Sequence, residues 1–408
     1  MLFPYITLQN DTSTKGKCTF RFRPSEWTGA VPTGFSALGT HNLPAPTVTK
    51  PIDYFKAVRY EGNGTAIGSG GKTITDVGFQ ADFVWIKNRD TTDSHMIFDS
   101  VRTATKAIST NLTAAEAVDT ESLTSFTSTG FTLGSNVSVN TSGEDYVAYC
   151  MKAGGSASTT DPAGSIASST SVADHGGFSV GTYTGTGSTG TVGHGLSRKP
   201  DWLWVQKRTD ADGGSFGGGG YIYHSGLGAT KYMYISGNAG EGTSSDYWNN
   251  VEPTASVFTI DTLEGVNTDD STYAFFAFAK TPGLIAVGKY TGNGNDEGNM
   301  IIADDGASGF KPTFLMIKRH LPDDNTNYWV LLDGQADGTE IYNPVENRLI
   351  PNLNDGYSAT GIGKIHFLSN GFKFRQGGAG YPHQNLSGAG YIYIAFAERP
   401  FALNNRAR

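Results

Sequence analysis

Cysteine is almost absent from this 408-residue chain: Cys18 and Cys150 are the only two, and they stand in different parts of it. No disulfide framework is therefore expected, and two unpaired thiols suit assembly in a reducing cytoplasm. Charge is scarce as well, at 17% of residues, and the formal net charge is -8. Without a basic tract, no nucleic-acid partner and no anionic-membrane partner is expected. The chain contains no run of about 18 apolar residues, which excludes a membrane-spanning helix and membrane insertion by one. Met1 to Asn10 carry neither a positive region nor an apolar core, so no secretory leader is expected.

The machinery of catalysis is equally thin. The eight histidines form no HxH or HExxH pair, so no zinc site and no other cofactor is expected. No serine of a G-x-S-x-G elbow stands beside plausible partners. Gly62-Asn63-Gly64 and Gly185-Thr186-Gly187 look like fragments of a phosphate loop, but neither leads into a helix with Lys-Ser/Thr. Glu144-Asp145 and Asp269-Asp270 are paired acids, yet the corresponding place further on holds Gly388-Ala389. Neighbouring strand residues point to opposite faces, so these acids are read as solvated strand edges rather than a glycosidase pair. Asp210-Ala211-Asp212 and Asp323-Asp324-Asn325 lack the further oxygen ligands of a calcium loop and are read as polar turns.

What the chain does have is glycine, with 54 residues, and aromatic rings, at 12%. That is the composition of a turn-rich, all-β protein with aromatic cores. The rings recur in order. Phe83-Val84-Trp85-Ile86-Lys87-Asn88-Arg89 returns as Trp202-Leu203-Trp204-Val205-Gln206-Lys207-Arg208 and again as Phe314-Leu315-Met316-Ile317-Lys318-Arg319-His320. Each copy reads as a strand buried on both faces that ends at the surface in basic residues. Phe83, Trp85, Trp202, Trp204, Phe314 and Met316 are its core residues. A catalytic motif seldom recurs in this way; three copies of a hydrophobic strand mark three copies of a fold.

Each copy follows a Tyr-Gly turn, at Tyr60 to Gly64, Tyr183 to Gly187 and Tyr290 to Gly294, read as a tight hairpin. Each unit closes on a Tyr/Ala-rich strand, at Tyr146 to Gly154, Tyr273 to Lys280 and Tyr391 to Glu398. Asn111, Asn238 and Asn352 end a middle strand in each unit, where asparagine tolerates the left-handed conformation of a turn. The expected fold is all-β, with three tandem antiparallel β-sandwich units, jelly-roll or concanavalin-like, after a short N-terminal strand segment. Residues 1–51 form that segment and a proline-spaced linker that packs on the first unit or another subunit. The first sandwich spans 52–155, with a short helical turn expected around its Ala-rich stretches 103–107 and 113–117. A flexible Gly/Ser/Thr linker occupies 156–175. The second sandwich covers 176–282, and the third, with a C-terminal tail, covers 283–408.

Tyr221, Tyr223, Tyr232, Tyr234 and Trp248 crowd the middle of the second unit beside the loop Gly213 to Gly220. Exposed rings of this kind stack on sugar faces or a protein partner, whereas alternate rings that fill a sandwich core do neither. Both readings stand at this point, with core filling the more common.

The strands at Phe83 to Arg89, Phe98 to Arg102 and Tyr391 to Phe401 resemble a family of tailed-bacteriophage virion proteins, particularly from aquatic phages, described as tail-fibre-like or structural. Residues 19–46, with Gly34-Phe35-Ser36-Ala37-Leu38 and Asn42-Leu43-Pro44, resemble the closing end of a SPRY-like, concanavalin-type sandwich that often precedes such repeats. The resemblance implies a virion protein assembled in the host bacterial cytoplasm. It implies no enzymatic activity and a homotrimer, with other tail or head proteins as partners and a host-surface glycan or protein as receptor. A capsid decoration, head fibre or tail connector is the alternative, and a polysaccharide depolymerase the third reading.

Overall fold

The computed structural model describes residues 44–155, 159–209, 219–323, 327–334, 343–358, 363–378 and 380–400. Unit one contains β1 (Phe55–Glu61), β2 (Lys72–Ile74), β3 (Phe83–Asn88), β4 (Met96–Asp99), β5 (Lys106–Ser109), β6 (Ala117–Val118), β7 (Leu123–Thr127), β8 (Gly130–Leu133) and β9 (Asp145–Met151). Unit two contains β10 (Thr159–Asp161), β11 (Ser168–Val172), β12 (Phe178–Thr184), β13 (Gly190–Gly193), β14 (Trp202–Lys207), β15 (Tyr221–His224), β16 (Lys231–Tyr234), β17 (Gly242–Thr243), β18 (Val257–Ile260) and β19 (Thr272–Phe278). Unit three contains β20 (Ile285–Thr291), β21 (Met300–Ile302), β22 (Phe310–Leu321), β23 (Trp329–Asp333), β24 (Arg348–Leu349), β25 (Ile365–Leu368), β26 (Gly371–Phe374) and β27 (Gly390–Pro400). Single-turn helices α1 (Val137–Asn140) and α2 (Glu264–Asn267) precede the closing strands of the first two units.

The fold is an all-β sandwich in each unit. A large antiparallel sheet, ordered β1-β9-β3-β4-β5-β6 in unit one, faces a small one, β2-β8-β7. The same plan gives β20-β27-β22-β23-β24 against β21-β26-β25 in unit three, and β12-β19-β14-β15-β16-β17 against β13-β18 in unit two. The closing strand therefore always lies between the first strand and the repeated aromatic strand. It is the most enclosed position in the sheet, which is why its side chains are rings and small alanines.

Strict alternation along the repeated strand decides the architecture. Val84 and Ile86 face the small sheet of unit one, whereas Phe83 and Trp85 face the opposite way. Leu203 and Val205 face inward in unit two, with Trp202 and Trp204 on the other side. Leu315 and Ile317 do the same in unit three, opposite Phe314 and Met316. The second faces of all three large sheets meet in one common core. Trp85 lies 6.1 Å from Trp204, Trp202 lies 5.8 Å from Trp329, and Tyr149 lies 5.0 Å from Phe314, so each unit touches the other two. Phe55 of unit one stacks on Phe396 of unit three at 4.5 Å, and Phe278 of unit two meets the same ring at 6.0 Å. Three sandwiches thus surround an aromatic hub with pseudo-threefold order inside one chain.

Several expectations are corrected by this arrangement. The 156–175 stretch is not a flexible linker over its described part, because β10 and β11 extend the large sheet of unit two beyond β12. Its small hydroxylated residues serve as strand anchors: Ser168 Oγ donates to the Gly193 carbonyl and Ser171 Oγ to that of Gly155, both at 2.7 Å. The Ala-rich stretches of unit one form no helix: turn and irregular backbone lead into β5 at Lys106 and into β6 at Ala117. Ala107 and Ile108 are needed on opposite faces, one in the unit's own core and one in the hub, and a strand alone supplies that alternation. Within the 1–51 segment, Val48 is buried in the hub, and its N–H donates to the Pro282 carbonyl at 3.0 Å. The strand expected around Cys18 and the SPRY-like remnant up to residue 43 lie outside the described residues.

Candidate functional site

The five rings singled out in unit two do not form an exposed stacking platform. Tyr221, Tyr223, Tyr234 and Trp248 are buried, and Tyr232 packs against them. Their hydroxyls and indole are engaged inside the unit. Tyr234 Oη lies 2.9 Å from Tyr247 Oη, Tyr223 Oη donates to Glu252 at 2.5 Å, and Trp248 Nε1 donates to the Lys231 carbonyl at 3.1 Å. Tyr232 stacks on Tyr247 with centroids 3.7 Å apart. Unit two has only two strands in its small sheet, and these rings supply the bulk that a third strand would. The loop residues 210–218 beside them lie outside the described residues.

The Tyr-Gly turns are clamps rather than hairpins, since each carries the chain from the large sheet to the small one. Tyr60 stacks on Tyr146 at 5.2 Å, Tyr183 on Tyr273 at 5.0 Å and Tyr290 on Tyr391 at 4.9 Å. Each closing tyrosine uses its hydroxyl twice. Tyr146 Oη accepts from the Thr141 N–H and donates to the Val137 carbonyl; Tyr273 bridges Thr268 and Glu264, and Tyr391 bridges Leu386 and Pro382, in the same way. A buried asparagine, Asn140, Asn267 or Asn385, accepts from the N–H of the turn residue Asn63, Thr186 or Asn293. The glycines have two separate duties. Gly64, Gly187 and Gly294 have φ of 65°, 64° and 69°, while a Cβ on Gly62, Gly185 or Gly292 would meet a backbone carbonyl oxygen at 1.9, 2.2 or 2.3 Å. The signal for the asparagine was in the sequence: it stands six residues before the closing tyrosine in every unit.

The middle-strand asparagines also act through their side chains. Asn111 Oδ1 accepts from the His95 N–H at 3.0 Å, and Asn352 Oδ1 from the Trp329 N–H at 3.1 Å. Neither residue has a positive φ.

The basic ends of the repeated strands do not reach open solvent, contrary to the expectation from their charge. Lys87, Lys207, Lys318 and Arg319 are buried. Lys87 Nζ donates to the carbonyls of Asn88 at 2.7 Å and Thr91 at 3.1 Å, and burial lowers its pKa to about 8. Lys318 Nζ crosses to unit two, donating to the Gly237 carbonyl at 2.9 Å. One residue on, the pattern becomes a ring. Arg208 of unit two forms a paired contact with Glu116 of unit one, at 2.9 and 3.0 Å. His320 of unit three meets Glu241 of unit two at 2.7 Å. Arg89 of unit one lies 4.5 Å over the Tyr357 ring of unit three. The contact thus runs head to tail and closes after three steps, the geometry of a heterologous ring.

Glu116 is the best-charged joint of that ring. It also accepts from Arg102 at 3.0 Å, and Arg102 is paired with Asp99. Burial pushes the Glu116 carboxyl up, but the bonds from Arg208 and the charge of Arg102 hold it below the usual carboxylate range.

The hub itself offers little room. Its residual cavity of about 30 Å³ is lined by rings and apolar chains of all three units, among them Trp85, Tyr149, Trp204, Phe278, Phe314 and Ile394. A water would fit by size, but the lining is apolar and lacks the polar partners that would hold it. Among the described residues, no group of three His, Cys, Asp or Glu side chains is close enough to hold a metal ion. Glu144 and Asp145 diverge, Glu144 toward Asn88 and Asp145 toward Arg89.

Residues 50–400 match a family described as Domain of unknown function (DUF7483). The chain belongs to that family. The match runs from the entry of β1 to the end of β27, so the family's domain is the whole three-unit body rather than one repeat. No curated protein and no solved structure matches the chain.

Proposed function

We propose that this protein is a non-enzymatic structural component of a bacteriophage particle, a tail fibre or tail appendage that contributes to host-surface adsorption. The observation that carries the reading is the closed hub. Side chains that would attract attention in an enzyme are engaged in packing: Trp85, Trp202, Trp204, Trp329 and Tyr149 fuse the three sandwiches, and the other buried tyrosines fill the cores of single units. Such a body holds its peripheral loops in fixed relative positions, which suits repeated weak contacts on a cell surface. The resemblance of the Phe83, Phe98 and Tyr391 strands to phage virion proteins supports the virion location. A homotrimer of these chains is part of the proposal, as a level above the threefold order within each chain.

The burial of the unit-two rings favours a second reading, in which the protein braces the particle as a capsid decoration, head fibre or tail connector. Gold-labelled antibody against units two and three, imaged on intact particles, separates the two. Label on distal tail appendages is expected; label on the head or within the tail selects the bracing role, and absence from the particle overturns both. Release of reducing ends from host capsule by the purified chain would overturn the non-enzymatic claim.

A further inference from the structure

The three units handle one edge of their sandwich differently. The first strand of each large sheet, β1, β12 or β20, lies on the same flank. In unit two, β11 covers β12 in antiparallel register, pairing Ser169 with Thr182 and Ser171 with Val180. The residues just before β11 cover the small sheet too. The Ile166 N–H donates to the Thr191 carbonyl at 2.9 Å, and Ile166 forms a bridge with Val192 of β13 while its side chain enters the unit-two core. One extended segment, 164–172, therefore closes the whole flank of unit two.

Among the described residues, unit three has no such segment. Its β20 ends the large sheet and its β21 ends the small one, leaving an open cleft of about 570 Å³ between them. The register fixes the equivalence: Val192 faces Phe258 in unit two as Ile301 faces Phe372 in unit three. The positions of Thr191 and Gly193 are then Met300 and Ile302, which are 49% and 37% exposed. Two large apolar side chains stand in solvent where unit two places small residues under a covering strand.

The backbone row of β20 is only half used. The Val287 N–H, which points away from β27, donates to the Asp304 carbonyl at 3.2 Å. Lys289 and Thr291 present their N–H groups on the same side by the two-residue repeat of a strand. The Thr291 carbonyl accepts from Asn299 at 3.1 Å, and no other backbone partner faces these two residues among the described ones. Unit one guards its equivalent edge with charge, since β1 carries Lys56, Arg59 and Glu61.

We propose that the cleft between β20 and β21 is a strand-addition site for an extended peptide segment of another polypeptide. The occupant pairs antiparallel with β20 and seats one branched apolar side chain beside Ile301 on the core face, while the residues flanking it lie along Met300 and Ile302 on the outer face. Unit two shows the required chemistry within the same chain: a small, hydroxyl-rich strand preceded by an isoleucine. Main-chain bonds to Lys289 and Thr291 supply the affinity, and the apolar seat supplies the specificity. This inference stands apart from the virion reading and survives if that reading fails.

The probe is a synthetic peptide copying residues 164–172, titrated to low millimolar concentration against the full chain and followed by hydrogen exchange. In the free chain, the Lys289 and Thr291 amides are expected to exchange much faster than the equivalent Thr182 and Thr184. Saturating peptide slows Lys289 and Thr291 by about tenfold or more, as expected for amides drawn into a ladder. The effect is lost with the Met300→Asp/Ile302→Asp double variant, whose changes lie on exposed side chains, and also with a peptide carrying Ile166→Asp. Three results overturn the proposal: no slowing at saturation, slowing that persists in the double variant, or Lys289 and Thr291 amides already as slow in the free chain as their unit-two equivalents.

Discussion

His95 accepts the indole N–H of Trp85 on Nδ1 at 3.0 Å, and it can do so only while that nitrogen carries no proton. His175, His194 and His224 repeat the arrangement with backbone donors, accepting on Nδ1 from the N–H groups of Gly177, Leu196 and Gly226 at 3.0, 3.2 and 2.9 Å. Burial lowers the pKa of all four, to about 4 for His175 and about 3 for His224, and His95 lies well below its ordinary range. The unfolded chain binds these protons near pH 6.5, whereas the folded chain binds them only at lower pH. Stability from these residues is therefore complete above about pH 6.5 and is lost as pH falls toward the folded values. For His224, whose folded value is about 3, the loss between pH 6.5 and 5 is about 2 kcal/mol. Thermal melts at pH 7 and 5 should show a clear fall in midpoint, and His224→Gln should reduce the difference between the two pH values. A midpoint unchanged between pH 7 and 5 would contradict neutral, buried imidazoles.

At the scale of the element, the repeated strand was legible because alternation and composition coincide. A run such as Trp202-Leu203-Trp204-Val205 has no polar face, so it has two cores to fill. The sequence could not say that the second core was shared, because nothing in the run distinguishes a neighbour sheet of its own unit from one of another. The outermost basic residues, Arg208, His320 and Arg89, were misread for the same reason: their partners, Glu116, Glu241 and Tyr357, belong to a different unit and lie far away in the chain. The Ser/Thr segment ahead of unit two was misread because weak, polar edge strands and flexible linkers have the same composition. The unit-two rings show the limit for the candidate site, since a ring in a sandwich core and a ring on its surface obey one alternation. The head-to-tail ring carries its own test at this scale. Arg208→Met and Glu116→Gln, alone and together, form a double-mutant cycle whose coupling is expected at about 1–3 kcal/mol, as for residues in one network. A cycle in chemical denaturation that closes to zero would mean that the contact does not join units one and two.

For the whole molecule, three sandwiches could be beads on a string or one body. The hub decides for one body: every unit leaves a face of its large sheet apolar, and each face is covered only by the other two. Val48 and the close entry from Thr281 to Ile285 tie the chain ends of the units into the same core. The three sandwich units were legible from the repeats, while the hub was not, because it is made from pairings between units that no local pattern encodes. Calorimetry of the full chain, with Trp204→Ala beside it, tests this most directly. The account predicts a single transition, moved as a whole to lower temperature by a loss of about 3–5 kcal/mol for the buried ring. Separate transitions for the units, with the substitution lowering only the one that contains unit two, would contradict the shared core.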